Sequence, residues 1–168
     1  RSRGELVGEA SPSYVFHPLG PDRVKALVPE ARLIVLVRDP VDRALSHYNH
    51  ELALGRESLS FEDALDTEEG RLEGEVERLR ADPRYFSRAW WSHTYKSRGR
   101  YAEQLERWLA VFPREQLLIV PSEELLAEPG RVHAEVLEFL GAPPYRLDAY
   151  PRVFERKYES MRPETRAE

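Results

Sequence analysis

The sequence predicts an α/β fold in which a parallel β-sheet is flanked by helices. Short apolar runs, ARLIVLV at 31–37 and QLLIV at 116–120, alternate with longer stretches of helical periodicity. No internal repeat and no low-complexity linker interrupts this alternation. The 168 residues correspond to about one domain. We therefore expect a single domain over residues 1–168, truncated at both ends, because the chain lacks an initiator Met and stops in a charged run.

The first predicted elements lead to a central strand. The stretch ELVGEAS at 5–11 is expected to form a short strand that ends near Glu9, and the turn-rich SPSYVFHPLGP follows it. A short helix is expected around residues 22–28. The run at 31–37 is brief, rich in β-branched residues and apolar throughout, which is typical of a parallel strand buried on both faces.

A helix is predicted directly after this strand. Asp39 is a suitable N-cap and Pro40 a suitable first helical residue. Ser46 lies off the apolar face of the predicted helix. That face carries four residues at helical spacing, namely Val41, Leu45, Tyr48 and Leu52.

The remaining elements follow the same alternation. Residues 61–80 are charged and predicted to be helical, whereas the aromatic stretch at 85–95 has no clear pattern. The run QLLIVPSEEL predicts a buried strand that leads into a short helix, and Gly141 is expected to end a helix that begins near Pro129. Between them, one more helix is predicted from an apolar stripe of Tyr101, Leu105, Trp108, Leu109 and Phe112.

Composition excludes several classes of protein. The net charge of −5 argues against a general nucleic-acid-binding protein but allows a small anionic ligand bound by local arginines. With no Cys, the chain has no disulfide or thiolate metal site, and with no apolar run near 20 residues it has no predicted membrane span. These features predict a soluble protein, compatible with the cytoplasm. His47 and His50 share a helix, but no third ligand follows at a spacing typical of metal sites, so no metal is expected.

Arg38 is the leading candidate for binding an anion. It follows the predicted strand at its carboxyl end, where open parallel sheets bind ligands, and the next helix begins beside it. Ser46 lies about two turns along that helix, so Arg38 and Ser46 could share one phosphate. The alternative is that Arg38 pairs with Asp39, Asp42 or another nearby carboxylate and that Ser46 is a solvated helix residue.

Several segments together resemble one enzyme family. RLIVLVRDPVDRALSHY is similar to the 3′-phosphate-binding segment of sulfotransferases that use 3′-phosphoadenosine 5′-phosphosulfate (PAPS), particularly the heparan-sulfate-modifying branch and its bacterial relatives. GEASPSY resembles the stretch with the catalytic Glu, and SLSFEDAL resembles a segment after the phosphate-binding helix. The long stretch from SRGRY at 97–101 to FLG at 139–141 and the tail ERKYESMRPETRAE also match. The resemblance covers nearly the whole chain and implies a fold like that of P-loop nucleotide kinases.

The resemblance also implies roles for individual residues. Arg38 and Ser46 would hold the donor's 3′-phosphate, and Glu9 would be the general base. PAPS would give its sulfuryl group to an acceptor hydroxyl or amine, for which a carbohydrate is a candidate, and leave adenosine 3′,5′-bisphosphate. No metal is implied. Further donor contacts are implied for Gly99, Tyr101, Arg156 and Lys157.

Two departures from the family pattern keep other functions open. The family's first strand and its Lys-containing phosphate loop have no counterpart and are expected upstream of residue 1. Ala10 stands where many relatives have Lys directly after the Glu. A noncatalytic nucleotide-binding or scaffold module, or a relative of nucleotide kinases, therefore remains an alternative to the enzyme.

The aromatic residues at 85–95 allow two interpretations. Their rings could stack on a sugar or on adenine, or they could belong to the core. The residues concerned are Tyr85, Trp90, Trp91 and Tyr95. Neither the acceptor nor the oligomeric state follows from the sequence.

Overall fold

The fold is taken from a computed structural model that describes residues 6–82, 84–152 and 165–166. Short 3₁₀ turns occur at Ser97–Gly99 and Arg114–Gln116. The helices and strands are, in chain order, α1 (Gly20–Leu27), β1 (Leu33–Val37), α2 (Pro40–Ala53), α3 (Phe61–Leu72), α4 (Glu75–Ala81), α5 (Arg88–Ser92), α6 (Tyr101–Leu109), β2 (Leu117–Pro121), α7 (Ser122–Ala127) and α8 (Pro129–Leu140).

The two strands confirm the predicted parallel arrangement. β1 and β2 pair in register from Leu33 opposite Leu117 to Val37 opposite Pro121. Since the strands are parallel, their carboxyl ends meet at one edge, where β1 leads into α2 and β2 leads into α7. The prediction that β1 is buried on both faces is wrong for the described chain. Ile34 and Leu36 are 39% and 56% exposed because the described elements pack against only the opposite face of the strand.

The predicted strand before Glu9 is not observed. Residues 6–10 have no regular secondary structure, and Leu6 and Val7 are 61% and 77% exposed. A strand needs a partner for its backbone hydrogen bonds, and in the described part of the chain β1 pairs with β2 alone. The apolar residues of this stretch were therefore a poor guide to its conformation.

The start of α2 confirms the sequence prediction. Asp39 is the N-cap, and its carboxylate accepts a hydrogen bond from the backbone N–H of Asp42 at 2.9 Å. Pro40 is the first helical residue. Leu45 and Tyr48 pack against a buried cluster formed by Ala44, Phe61, Ala64 and Tyr95, whereas Leu52, predicted on the same face, is exposed.

Helix boundaries elsewhere follow local signals. The helical stretch predicted at 61–80 is divided into α3 and α4 at Gly74, which has a left-handed φ of 71°. Trp108 and Phe112 of the stripe predicted for α6 are buried, whereas Leu109, predicted on the same stripe, is 41% exposed. Gly141, with a φ of 67°, ends α8 as predicted.

Buried carboxylates fix the chain around α3. Glu57 accepts hydrogen bonds from the Arg71 guanidinium at 2.6 Å, from the Tyr95 hydroxyl at 2.9 Å and from the backbone N–H of Ser58 at 2.9 Å. Glu68 accepts from the backbone N–H groups of Lys96 and Ser97 at 2.6 and 2.8 Å. These carboxylates replace the water that the buried donors lose on folding, and they hold the segment that leads to Gly99.

The described residues contain neither a membrane-spanning helix nor a metal-binding cluster. No helix in residues 6–82 and 84–152 is both long and apolar enough to span a membrane. Over the same ranges, no group of three or more His, Asp or Glu side chains is placed to hold a metal ion.

Candidate functional site

Arg38 lies at the carboxyl edge of the sheet, immediately after β1, and its side chain is exposed. Its backbone N–H donates a hydrogen bond to the Tyr101 hydroxyl at 3.4 Å, so two of the residues assigned to donor binding lie together. Among the residues that the structure describes, the Arg38 guanidinium forms no ion pair. The two carboxylates proposed as its alternative partners have other roles: Asp39 caps α2, and Asp42 pairs with Arg166.

The backbone at the start of α2 offers an anion fewer donors than a helix N-terminus usually does. Pro40 has no N–H, and the N–H of Asp42 is bound by the Asp39 side chain. The N–H of Asp39 itself donates to the Glu123 carboxylate at 2.9 Å. The helix N-terminus thus contributes less than the sequence suggested, and binding of an anion here depends mainly on the Arg38 side chain.

Glu123 is the carboxylate that faces this edge from α7. Its pKa is lowered, chiefly by the hydrogen bond from the Asp39 N–H and in smaller part by the positive charge of Arg38. Glu123 therefore stays ionised near neutral pH and partly offsets the field of the guanidinium. A bound phosphate would compete with Glu123 for Arg38.

Ser46 lies in the second turn of α2 and is partly buried. It follows Pro40 by six positions, which corresponds to about 9 Å along the helix axis at 1.5 Å per residue. The extended side chain of Arg38 would have to turn along α2 for both groups to reach one phosphate.

Gly99 allows the turn before α6 to contact the start of α2. A Cβ added to Gly99 would lie 2.9 Å from the Pro40 Cβ and 3.6 Å from the Pro40 Cα. The 3.6 Å distance is an ordinary contact, but 2.9 Å is shorter than real Cβ contacts, so a larger residue at position 99 would require Pro40 to move. In the described structure the close approach is therefore between two protein segments, and it places Tyr101 beside Arg38.

Substitution of Gly99 by Ala is expected to disturb both stability and donor binding. The added methyl group must displace Pro40, and overpacking of this kind typically costs about 1–3 kcal/mol. Urea denaturation and nucleotide titration measure the two effects. The matched control is Gly70→Ala in α3, where nothing lies within 4 Å of the added Cβ, and a gain of about 0.5–1 kcal/mol is expected. Equal behaviour of the two variants would contradict the packing role.

Glu9 is exposed and lies in the irregular segment before α1. Its carboxylate accepts a short hydrogen bond from the Tyr14 hydroxyl. The same hydrogen bond raises the pKa of Tyr14, so Tyr14 keeps its proton and remains a donor at neutral pH. Sequence reasoning did not identify Tyr14, although it belongs to the same GEASPSY stretch.

The C-terminal residues predicted to bind the donor lie outside the described part of the chain, whereas residues 165–166 lie inside it. Arg156 and Lys157 lie outside the described residues, so their assignment to donor binding stays a prediction. Thr165 donates to Glu62 of α3 at 2.9 Å, and Arg166 pairs with Asp42 in the first turn of α2. The end of the chain therefore returns to the edge of the molecule that contains Arg38.

Three of the four aromatic residues at 85–95 have structural roles. Trp90 stacks on Phe16 with ring centroids 4.3 Å apart. Tyr95 is buried against Glu57, and the Tyr85 hydroxyl donates to Glu75 at 2.9 Å. Trp91, at 43%, is the most exposed of the four and presents the ring most accessible to a ligand.

His47, which the sequence suggested only as a candidate metal ligand on a polar helix face, is mostly buried in the structure, within a row of polar side chains on α2. Arg43, His47 and Glu51 follow one another at intervals of four residues. Burial, together with the charges of Arg98 and Arg43, lowers the pKa of His47 to about 3, so His47 is neutral at physiological pH. At that pH, the 3.9 Å contact between the His47 ring and the Glu51 carboxylate is therefore not an ion pair.

Comparison with known proteins places this geometry in a family. A family model described as "Sulfotransferase domain" matches residues 15–166. The chain belongs to the sulfotransferase family. The match begins after Glu9 and includes Arg38, Ser46, Gly99 and Tyr101.

Individual relatives agree with this assignment. The chain is 34% identical over 138 residues to human (Homo sapiens) heparan sulfate glucosamine 3-O-sulfotransferase 3B1, an alignment that covers 82% of this chain and 32% of that protein. It is 35% identical over 145 residues to mouse (Mus musculus) bifunctional heparan sulfate N-deacetylase/N-sulfotransferase 3, which covers 84% of this chain and 15% of the relative. The chain thus spans about a third or less of these relatives.

A solved structure supports the fold. The crystal structure of a sulfotransferase from Alicyclobacillus acidocaldarius superimposes with a TM-score of 0.72 at 34% sequence identity. The superposition covers 96% of this chain and 57% of that chain. The parallel sheet flanked by helices is therefore the sulfotransferase fold, as the resemblance implied.

Proposed function

We propose that the protein of which this chain is a part transfers a sulfuryl group from PAPS to a hydroxyl or amine of a carbohydrate acceptor. Family membership and the exposed Arg38 at the carboxyl edge of the sheet support the proposal. The relatives named above are heparan sulfate sulfotransferases, which favours a carbohydrate acceptor.

The Arg38 guanidinium is the proposed anchor for the donor's 3′-phosphate. It is free of ion pairs within the described residues and can present two parallel N–H donors to phosphate oxygens. Tyr101 fixes the backbone of Arg38, and Gly99 allows Tyr101 to be there. Ser46, Arg156 and Lys157 are proposed as additional contacts to the nucleotide.

Glu9 is the proposed general base. As the acceptor oxygen or nitrogen attacks sulfur, its proton passes to the Glu9 carboxylate and the sulfur–oxygen bond to the 5′-phosphate breaks. Adenosine 3′,5′-bisphosphate leaves with the bonding electrons. Tyr14 donates to one carboxylate oxygen and leaves the second oxygen available for the proton.

The exposed face of β1 supports the expectation that further chain completes the domain. Ile34 and Leu36 would be covered by a further element packed on that face of the sheet, and the family's phosphate loop, if present in the longer chain, would bring a cation to the transferring group. The curated relatives and the solved structure are all longer than the matched region. Functional tests therefore require the full-length protein.

Replacing Arg38 by Ala is expected to weaken binding of adenosine 3′,5′-bisphosphate by about 1.5–3 kcal/mol, the scale of a hydrogen bond to a charged group. Calorimetric titration measures the effect. Arg32→Ala is the matched control, because Arg32 lies at the opposite end of β1, where its guanidinium packs over the Phe139 ring. Unchanged affinity in Arg38→Ala, or an equal loss in both variants, would overturn the donor site.

A turnover assay separates the enzyme from a binding module. Transfer of labelled sulfate to any member of an oligosaccharide panel would support the enzyme. Tight binding of the bisphosphate without transfer to any acceptor would instead indicate a nucleotide-binding module. The sequence feature that favours such a module is Ala10, which stands where many relatives have Lys.

A further inference from the structure

The side chain of Arg98 donates hydrogen bonds to four residues in two regions of the structure. Its Nε donates to the Thr94 hydroxyl at 2.7 Å, and its Nη1 donates to the Pro12 carbonyl at 3.3 Å. Its Nη2 donates to the carbonyls of Trp91 and Trp90 at 3.2 and 3.4 Å. The guanidinium thus joins the segment that follows Glu9 to the end of α5.

Within the part of the chain that the structure describes, the charge of Arg98 has no direct partner of opposite sign. Within residues 6–82 and 84–152, no carboxylate lies within ion-pairing distance of its guanidinium. Burial and the nearby Arg43 lower the pKa of Arg98 to about 10, which is the expected result of placing two guanidinium groups close together away from water. A partly buried cation in this position is costly, and its contacts to backbone carbonyls at the end of α5 are what stabilise it.

The segment at 12–16 is held from two sides. On one side, Arg98 contacts the Pro12 carbonyl and lies 5.1 Å from the centroid of the Phe16 ring. On the other side, α6 contributes Trp108, whose indole N–H donates to the Val15 carbonyl at 3.1 Å. Phe16 is also stacked on the Trp90 ring, so this turn is fixed by packing as well as by hydrogen bonds.

Tyr14 lies at the centre of this fixed segment. Glu9 belongs to an exposed, irregular stretch, and among the described residues the hydrogen bond from Tyr14 ties its carboxylate to the rest of the molecule. The orientation of Glu9 therefore depends on where Tyr14 is held, and Arg98 fixes the turn on which Tyr14 sits.

We propose that Arg98 and Tyr14 are positioning residues that act through Glu9. Arg98 fixes the turn at 12–16, and Tyr14 extends from that turn to orient the Glu9 carboxylate toward the acceptor. This inference rests on the proposed function, because it assigns the two side chains a role only if Glu9 removes the acceptor proton. A misplacement of the base by about 1 Å can lower the rate of transfer by as much as 100-fold.

The test uses Tyr14→Phe and Arg98→Lys in the full-length protein, each alone and combined with Glu9→Gln. Labelled sulfate transfer at saturating donor measures kcat, and KM for PAPS is measured in parallel. We expect kcat to fall about 10- to 100-fold in each single variant, with KM for PAPS unchanged. In the Glu9→Gln background, neither substitution should lower kcat further, because the group that they position is already disabled.

Matched controls carry the same chemical changes elsewhere. Tyr145→Phe alters an exposed tyrosine after α8, and Arg131→Lys alters an exposed arginine of α8. Both should leave kcat unchanged. Tyr14→Phe keeps the ring, and the Tyr14 side chain is exposed, so this variant should fold even if Arg98→Lys is unstable.

The outcomes separate this inference from the proposed function. If Glu9→Gln is slow and the two substitutions slow it again by the same factor, Arg98 and Tyr14 act independently of Glu9 and the inference is wrong. If the wild-type kcat is unaffected by Tyr14→Phe, the inference is also wrong. If Glu9→Gln transfers sulfate as fast as the wild type, the proposed base itself is wrong.

Discussion

Glu9→Gln is expected to reduce sulfuryl transfer by about 10²- to 10⁴-fold, the usual contribution of a positioned general base. Gln has nearly the shape of Glu, and its amide oxygen can still accept the hydrogen bond from Tyr14. It cannot take a proton from the acceptor. The substitution therefore removes the proposed chemistry while it leaves the local structure in place, and a labelled-sulfate assay of the full-length protein measures the loss.

Two controls make the Glu9 result specific. Affinity for adenosine 3′,5′-bisphosphate should be unchanged in Glu9→Gln, because the donor site is assigned to other residues. Glu106→Gln, which alters an exposed glutamate of α6, should transfer sulfate at the wild-type rate. A Glu9→Gln variant with a kcat within twofold of wild type would exclude Glu9 as the base.

Glu57→Gln is expected to lower the free energy of unfolding by about 3 kcal/mol at pH 7, the scale observed when one partner of a buried ion pair is removed. The substitution leaves the Arg71 guanidinium without its anion and weakens the hydrogen bond from Tyr95. Urea denaturation measures the change. Glu69→Gln on α3 is the control, since Glu69 is exposed, and it should shift the free energy by less than about 0.5 kcal/mol.

The pH dependence of stability provides a second test of Glu57. Burial opposes ionisation of this carboxyl, but hydrogen bonds from Arg71 and from the backbone N–H groups of Leu59 and Ser58 outweigh it and lower the pKa from 4.5 to about 2. A depressed pKa means that the stabilisation is complete above pH 4.5 and is lost as the pH falls toward 2. The difference between wild type and Glu57→Gln should therefore shrink over this range. A difference that stays constant from pH 7 to pH 2 would contradict the assignment.

Local signals explain which elements could be predicted. Asp39 and Pro40 mark the start of α2, and Gly141 marks the end of α8, through interactions confined to a few neighbouring residues. Pairing and coverage of strands depend on distant segments instead. The sequence therefore predicted β1 but not the exposure of Ile34 and Leu36, and it predicted a strand in ELVGEAS ending near Glu9, whereas residues 6–10 have no regular secondary structure.

The contrast between signals from neighbouring residues and contacts between distant segments also applies to the candidate site. Arg38 was found because the end of a strand and the start of a helix meet there, which is a feature of consecutive residues. Arg98 was not found, because its importance comes from a contact to Pro12, 86 positions earlier in the chain. Gly99 was identified by resemblance, but the physical reason for a glycine, its contact with Pro40, needed the structure.

The central claim is that Arg38 binds the donor's 3′-phosphate, and a comparison of two nucleotides tests it most directly. Calorimetry would compare adenosine 3′,5′-bisphosphate with adenosine 5′-monophosphate, which lacks only that phosphate, on the full-length wild type and on Arg38→Ala. The wild type is expected to prefer the bisphosphate by about tenfold or more, and Arg38→Ala should lose most of this preference. If Arg38→Ala retained the same preference as the wild type, the 3′-phosphate would be bound elsewhere and the account of the donor site would be wrong.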